Sequence, residues 1–337
     1  MKRKFDVLLA GYYGFGNLGD ELLLQSCIQK LQENNIPKER IAVLSATPEE
    51  TAKRFGVAAF DRWSVIQIAR AAAKSRSLLL GGGGLFQDTT SAKSCFYYWM
   101  VVKLARANGA NVWAIGQSVG PLSTIPGKFF TKSAFSSCLF RGVRDVRSMH
   151  QLEEWKLSSV LTPDLVMGLR LKKQTLLSNI LLLNVRPWHG PLAENAAALA
   201  QKTAEKRGWI IRGVAFSPED AVLLEELQAK KIVKLHEIAL VKSLEDFQNI
   251  TIGTVGAVGM RLHFIVLSLL AGLPLAAVPY DPKVDLFRME YNIPVIDNNG
   301  EELTFSDAPY GDVADKCGAL IDKAFRDGLC AVLGETE

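Results

Sequence analysis

The chain has 337 residues, 48% of them hydrophobic and 22% charged, with a formal net charge of +4. That length exceeds what one core usually serves and argues for about two domains, while the composition excludes a disordered or fibrous chain. The basic residues read as scattered, which argues against a nucleic-acid partner, and the small positive excess suits an anionic substrate or a membrane surface.

Met1-Lys2-Arg3-Lys4 opens like a secretion signal, but the apolar run that follows is only Val7 to Ala10 before glycines break it. It reads as a first β-strand over 5–10, buried on both faces. Gly11-Tyr12-Tyr13-Gly14-Phe15-Gly16-Asn17-Leu18-Gly19-Asp20-Glu21 follows, then a helical stripe through Leu24, Ile28 and Leu31. Strand, glycine-rich loop and helix is the geometry of an anion or nucleotide site. The spacing is neither the dinucleotide fingerprint nor a Walker A loop. Asp20 is expected either to cap the helix or to act as a functional carboxylate.

A helix over 64–74 leads to a strand over 77–80 and then Gly81-Gly82-Gly83-Gly84-Leu85-Phe86-Gln87-Asp88. Four glycines at the C-terminal end of an apolar strand suit close approach of backbone to a ligand or to another element. A helix over 95–108, a strand over 111–115 and the small-residue loop Gly116-Gln117-Ser118-Val119-Gly120-Pro121 come next. A helix over 129–138 precedes a strand that ends in Arg144-Asp145. Arg144 is expected either to bind a substrate anion or to pair with Asp145. Residues 168–174 are polar enough for a linker.

The alternation resumes with strands over 179–185, 209–214 and 232–235 and helices over 193–207, 218–230 and 244–249. The first of these strands ends in Arg186-Pro187-Trp188-His189-Gly190. Val258-Gly259-Met260-Arg261-Leu262-His263 then hands an apolar, glycine-broken run to a helix over 264–271. A permanent cation and a titratable imidazole two residues apart above a helix N-terminus suit an anion. A strand over 274–278, Tyr280-Asp281-Pro282-Lys283-Val284, a helix from Lys283 through Tyr291 and a last amphipathic helix over 314–325 complete the chain.

Strands alternating with helices in both halves predict an α/β protein of two doubly wound Rossmann-like domains, with an active-site cleft between them. The expected boundaries are 1–168, 176–320 and a helix end and tail over 321–337. Cys27, Cys95, Cys138, Cys317 and Cys330 form no CxxC pair and read as thiols of a reducing compartment. No apolar run approaches the length of a bilayer span. The expected location is therefore cytoplasmic, with peripheral contact at the inner face of the membrane. His150, His189, His236 and His263 show no metal-ligand spacing.

The glycine-rich opening loop, the tetraglycine run with Leu-Phe-Gln-Asp, Gly-Gln-Ser-Val-Gly-Pro, Arg-Asp-x-x-Ser, Val-Arg-Pro-Trp, Met-Arg-Leu-His and Tyr-Asp-Pro-Lys-Val occur in this order. In this the chain resembles the polysaccharide pyruvyl transferases, and among them the bacterial CsaB type, from about residue 5 to the last helix. The resemblance implies a glycosyltransferase-B-like architecture, phosphoenolpyruvate as donor and a pyruvate ketal on a sugar as product. For the CsaB type it implies the ManNAc of a lipid-linked cell-wall disaccharide and a part in S-layer anchoring. The first domain would be the acceptor side and the second the phosphoenolpyruvate side.

Such a reaction needs cations for a carboxylate and a phosphate, a proton for the methylene carbon and a base for the sugar hydroxyl. It calls for no metal and no cofactor. Arg261 and Arg144 fit as anion clamps, Lys283 as a neutraliser of departing phosphate, His263 as general acid/base and Asp20 as the group that orients or deprotonates a hydroxyl. Arg186 and His189 either bind donor or acceptor or form an ordered loop lip. Asn17, Gly83 and Asp88 complete the expected substrate-binding set. The rival readings are a nucleotide-sugar glycosyltransferase and a non-catalytic binding protein of the same fold.

Overall fold

The computed structural model describes residues 3–88, 91–172, 177–296, 302–306 and 311–334. The chain divides into two compact units, one of Met1–Gly16, Asp20–Leu169 and Lys316–Glu337, the other of Asn17–Gly19 and Arg170–Asp315.

The first unit is built from β1 (Phe5–Ala10), α1 (Leu18–Glu33), β2 (Ile41–Ser45), α2 (Pro48–Phe55), β3 (Ala58–Asp61), α3 (Val65–Ala73) and β4 (Ser75–Phe86). It continues with α4 (Lys93–Ala107), β5 (Asn111–Val119), α5 (Ile125–Ser136), β6 (Cys138–Val143), α6 (Val146–Glu154) and β7 (Val160–Leu161). The seven strands form one parallel sheet in the order β3-β2-β1-β4-β5-β6-β7. The run Phe5-Asp6-Val7-Leu8-Leu9-Ala10 is buried at every position, as a central strand covered on both faces must be. Right-handed crossovers put α3, α4 and α5 on one face of the sheet, where α4 packs against both neighbours.

The second unit contains β8 (Leu177–Asn184), α7 (Leu192–Arg207), β9 (Ile210–Ala215), α8 (Pro218–Ala229), β10 (Leu235–Leu240) and α9 (Leu244–Ile250). Then come β11 (Gly253–Gly259), α10 (Leu262–Leu270), β12 (Leu275–Ala277) and α11 (Pro282–Glu290), and the chain ends with α12 (Gly311–Leu333). Its sheet is also parallel, in the order β10-β9-β8-β11-β12. Each sheet reverses its winding once, between β1 and β4 and between β8 and β11. Open α/β sheets bind ligands at the strand ends beside that reversal.

Several elements differ from the sequence expectation. The tetraglycine run is no loop: β4 continues through it to Phe86, with Gly81, Gly83 and Phe86 in register with Ile115, Gln117 and Val119. Gly82 and Gly83 hold φ of 66° and 88°, and a Cβ on Gly82 would stand 2.9 Å from Leu23 Cδ2. The glycines admit α1 close to the strand. β5 likewise runs through the small-residue stretch to Val119. α1 starts at Leu18, so Asp20 lies in its first turn and is not the cap. α2 and β3 were not expected from the sequence. β10 begins at Leu235, where a strand over 232–235 was expected to end. Cys27, Cys95, Cys138 and Cys317 are buried and Cys330 is exposed. Among the described residues no helix is long and apolar enough to cross a membrane.

Candidate functional site

In the first unit the loop after β1 is held rigidly. Arg62, only 3% exposed, donates to the Gly11 carbonyl at 2.7 Å and lies 4.9 Å from the centroid of Phe15 and 4.6 Å from that of Tyr97. Tyr12 stacks on Phe15 at 4.0 Å. The Gly14 amide donates to Glu21 Oε1 at 2.8 Å. Burial pushes the Glu21 carboxyl up from its ordinary value, although the Gly14 bond and Arg54 pull the other way. This loop delivers Asp20, half-buried, beside Gly83: a Cβ on Gly83 would lie 3.8 Å from Asp20 Oδ1.

Further along the same strand ends, Arg144 follows β6. Its Nη1 donates to Asp164 at 2.8 Å and its Nη2 to Ser118 Oγ at 3.0 Å. The partner expected for it, Asp145, instead caps α6 through the Ser148 amide and accepts from Ser118. Arg144 thus belongs to a partly buried Asp164–Arg144–Ser118–Asp145 chain, and only 10% of its side chain is exposed. Gln117, between Gly83 and Val143 in register, is fully buried, and neither polar atom of its amide has a hydrogen-bond partner among the described residues. Asp88 is committed elsewhere. Oδ1 accepts from the amide and hydroxyl of Ser123, and Oδ2 from those of Thr124, at 2.5–3.0 Å. Burial raises its carboxyl, but these four bonds outweigh that and bring it down to about 2. With all its acceptor sites in use, Asp88 fixes the start of α5.

In the second unit the strand ends of β8 and β11 meet at Asn184. Its side chain donates to the Val214 carbonyl at 2.8 Å and accepts from the Arg261 amide at 3.0 Å. Arg261 is the residue before α10. Its Nε and Nη2 grip the fully buried Asp220 at 2.5 and 2.7 Å, and Nη2 also donates to Ser217 at 2.9 Å. Nε and Nη2 of the guanidinium are therefore both committed to neighbours within the unit. His263 lies in the first turn of α10 and is half-buried. It rests against Gly19, which groups with this unit: a Cβ there would stand 2.0 Å from His263 Nδ1.

Arg186 follows β8 between Trp188 and Tyr280, its guanidinium 5.6 and 5.1 Å from the two ring centroids. Nη1 donates to Tyr280 Oη at 3.0 Å, whereas the buried Nε has no partner among the described residues. Lys283 opens α11 with its ammonium 3.6 Å from Asp281, the residue that caps that helix. His189 is exposed beside Trp188, and Asn17 is half-buried. The second unit thus gathers Arg186, Arg261, His263 and Lys283 on the C-terminal side of one sheet, a set of cations and an imidazole suited to a small dianion. Among the described residues no group of three or more His, Cys, Asp or Glu side chains could hold a metal ion.

Residues 17–282 match the sequence model of one family, described as polysaccharide pyruvyl transferase. The chain belongs to that family. It is therefore a transferase, and the family implies a phosphoenolpyruvate donor and a polysaccharide acceptor. No curated protein sequence matches this pyruvyl transferase family member. Its fold is similar to UDP-GlcNAc 2-epimerase from Neisseria meningitidis, with a TM-score of 0.57 and 11% identity over 98% of this chain and 100% of the other. The epimerase from Methanocaldococcus jannaschii gives 0.58 at 9% identity over 99% and 93%. A glycosyltransferase from Rickettsia africae gives 0.54 at 11% over 98% and 94%. At such identities the likeness establishes a glycosyltransferase-B-like fold and nothing about chemistry.

Asn184, Ser217, Asp220, Asp164 and Gln117 were not singled out from the sequence. Asp220 sits in the first turn of α8, where an acid looks like ordinary helix-dipole compensation. Gln117 stood inside a quoted motif, and only its burial without a partner distinguishes it.

Proposed function

We propose that this family member moves the enolpyruvyl group of phosphoenolpyruvate onto a sugar and closes it into a pyruvate ketal, with the second unit binding the donor and the first the acceptor. The observation that carries the reading is the cation set of the second unit, in which an arginine locked by a buried carboxylate stands two residues from an imidazole at a helix N-terminus. Arg186, Lys283 and Arg261 take the carboxylate and phosphate. A proton delivered to the methylene carbon leaves an oxocarbenium-like centre at the neighbouring carbon. A sugar hydroxyl attacks that carbon and gives up its proton, and a second hydroxyl then displaces phosphate. His263 serves as the proton carrier and Asp20 as the group that orients a hydroxyl. Arg144, held by Asp164 and Ser118, positions the acceptor side. The finer reading is that of the CsaB type: ManNAc of a lipid-linked cell-wall disaccharide as acceptor, in S-layer anchoring.

Thermal melting with phosphoenolpyruvate and, separately, with UDP tests the donor. The expected result is a rise with phosphoenolpyruvate that Arg186→Ala and Lys283→Ala abolish. Arg261→Ala is a poor probe, because it strands Asp220 as an unpaired buried charge and threatens the fold. A rise with UDP alone would replace the reading by sugar transfer from a nucleotide. His263→Ala should lower turnover by about 10²–10⁴-fold, the usual worth of a placed acid/base.

A further inference from the structure

We propose that the outer face of the α3–α4–α5 layer docks on an anionic lipid bilayer. Residues 62–144 hold eleven Lys and Arg and a single acid, Asp88, a net of +10 against +4 for the whole chain, which leaves −6 for everything else. Arg62 is 3% exposed and the Arg144 side chain 10%, so these two lie off the surface, but α3, α4 and α5 contain no Asp or Glu, and Asp88 is itself 3% exposed and fully hydrogen-bonded. Arg70, Lys74, Lys93, Lys103, Lys128 and Lys132 are all exposed on it.

Large apolar side chains stand among these cations. Ile125 is 85% exposed, Ile66 64% and Phe129 61%, with Phe96 at 48%. Phe96 and Phe129 are tied into one aromatic seam through Phe130, at 5.3 and 5.7 Å between centroids. Exposed aromatic and aliphatic groups on the same layer as exposed lysines are what an interfacial surface needs. The apolar groups enter the acyl boundary while the cations meet lipid phosphates.

The same composition disfavours other occupants. A second copy seated symmetrically on this face would oppose lysine to lysine with no acid to answer them. A nucleic acid would use the charges but leave Ile125 and Ile66, which offer neither stacking nor hydrogen bonds, without a role. This inference does not depend on the pyruvyl-transfer reading, since vesicle binding can be read without donor or acceptor.

The test is co-sedimentation of the full chain with vesicles of phosphatidylcholine and phosphatidylglycerol in equal parts, and of phosphatidylcholine alone. Binding to the anionic vesicles is expected, weakening as salt rises. Each lysine near an anionic surface is worth about fivefold in partition, so K128E/K132E should lower it by about 25-fold or more. I125S/F129S should lower it by about tenfold or more through lost apolar burial. All four side chains are exposed, so both variants should melt like the wild type. Should K128E/K132E melt early, Lys93→Gln with Lys103→Gln on α4 reads the same surface. Equal binding to both vesicle types, variants that bind as the wild type does, or retention by RNA without retention by vesicles would each overturn the proposal. So would a dimer that I125S/F129S dissociates in the absence of any vesicle binding.

Discussion

Asp88 accepts four hydrogen bonds from two consecutive residues, and that alone decides what it does. Its folded value of about 2 lies below the ordinary 3.8, so its contribution is fully present above pH 3.8 and is lost as pH falls through about 2. Asp88→Asn should therefore lower unfolding free energy by about 2 kcal/mol at neutral pH. The gap to the wild type should narrow as acid is added, and a urea titration at several pH values reads both. A variant as stable as the wild type at neutral pH would mean the four bonds carry no net stability. From the sequence, Asp88 looked like a ligand residue because it follows a glycine run. The residues that consume it, Ser123 and Thr124, lie more than thirty positions on, outside any local pattern.

At the scale of elements, the N-termini of α1 and α10 matter most. Gly19 in α1 has an ordinary backbone, so its lack of a side chain serves the His263 ring against it and not a turn. Gly19→Ala is expected to displace the imidazole. The fold should survive, because His263 is half-buried and its ring can swing, but turnover should fall by about 10²-fold, the cost of an ångström-scale misplacement. Steady-state rates with phosphoenolpyruvate and a saccharide acceptor decide this, and a wild-type rate in Gly19→Ala would remove His263 from proton transfer. The positions of Arg261 and His263 at a strand-to-helix handover were legible from local periodicity. The grip of Asp220 and Asn184 on Arg261 was not, since those residues lie 41 and 77 positions away.

Over the whole molecule the chain leaves the first unit after Leu169 and returns to it at Lys316. The returning helix, α12, packs Phe325 edge-on to Trp113 at 6.0 Å, and Lys30 of α1 pairs with Asp322 at 2.8 Å. A Cβ on Gly328 would stand 2.5 Å from Trp113 Cε3, whereas one on Gly318 meets nothing within 4 Å. Gly328→Val should thus destabilise by about 1–3 kcal/mol through overpacking. Gly318→Ala should be neutral or stabilise by up to about 1 kcal/mol through helix propensity. Denaturant midpoints that do not separate the two variants would show that α12 is not seated on Trp113. The sequence by itself determined the fold class, the family and the strand ends that bear the arginines, because alternation and motif order are properties of neighbouring residues. It also held the charge asymmetry of residues 62–144. Only the tertiary structure decided which carboxylate holds which arginine, that the tetraglycine run is strand, and that the last helix groups with the first unit from Lys316 on. Each of these is a pairing between distant segments, settled by burial and hydrogen-bond satisfaction and not by local pattern.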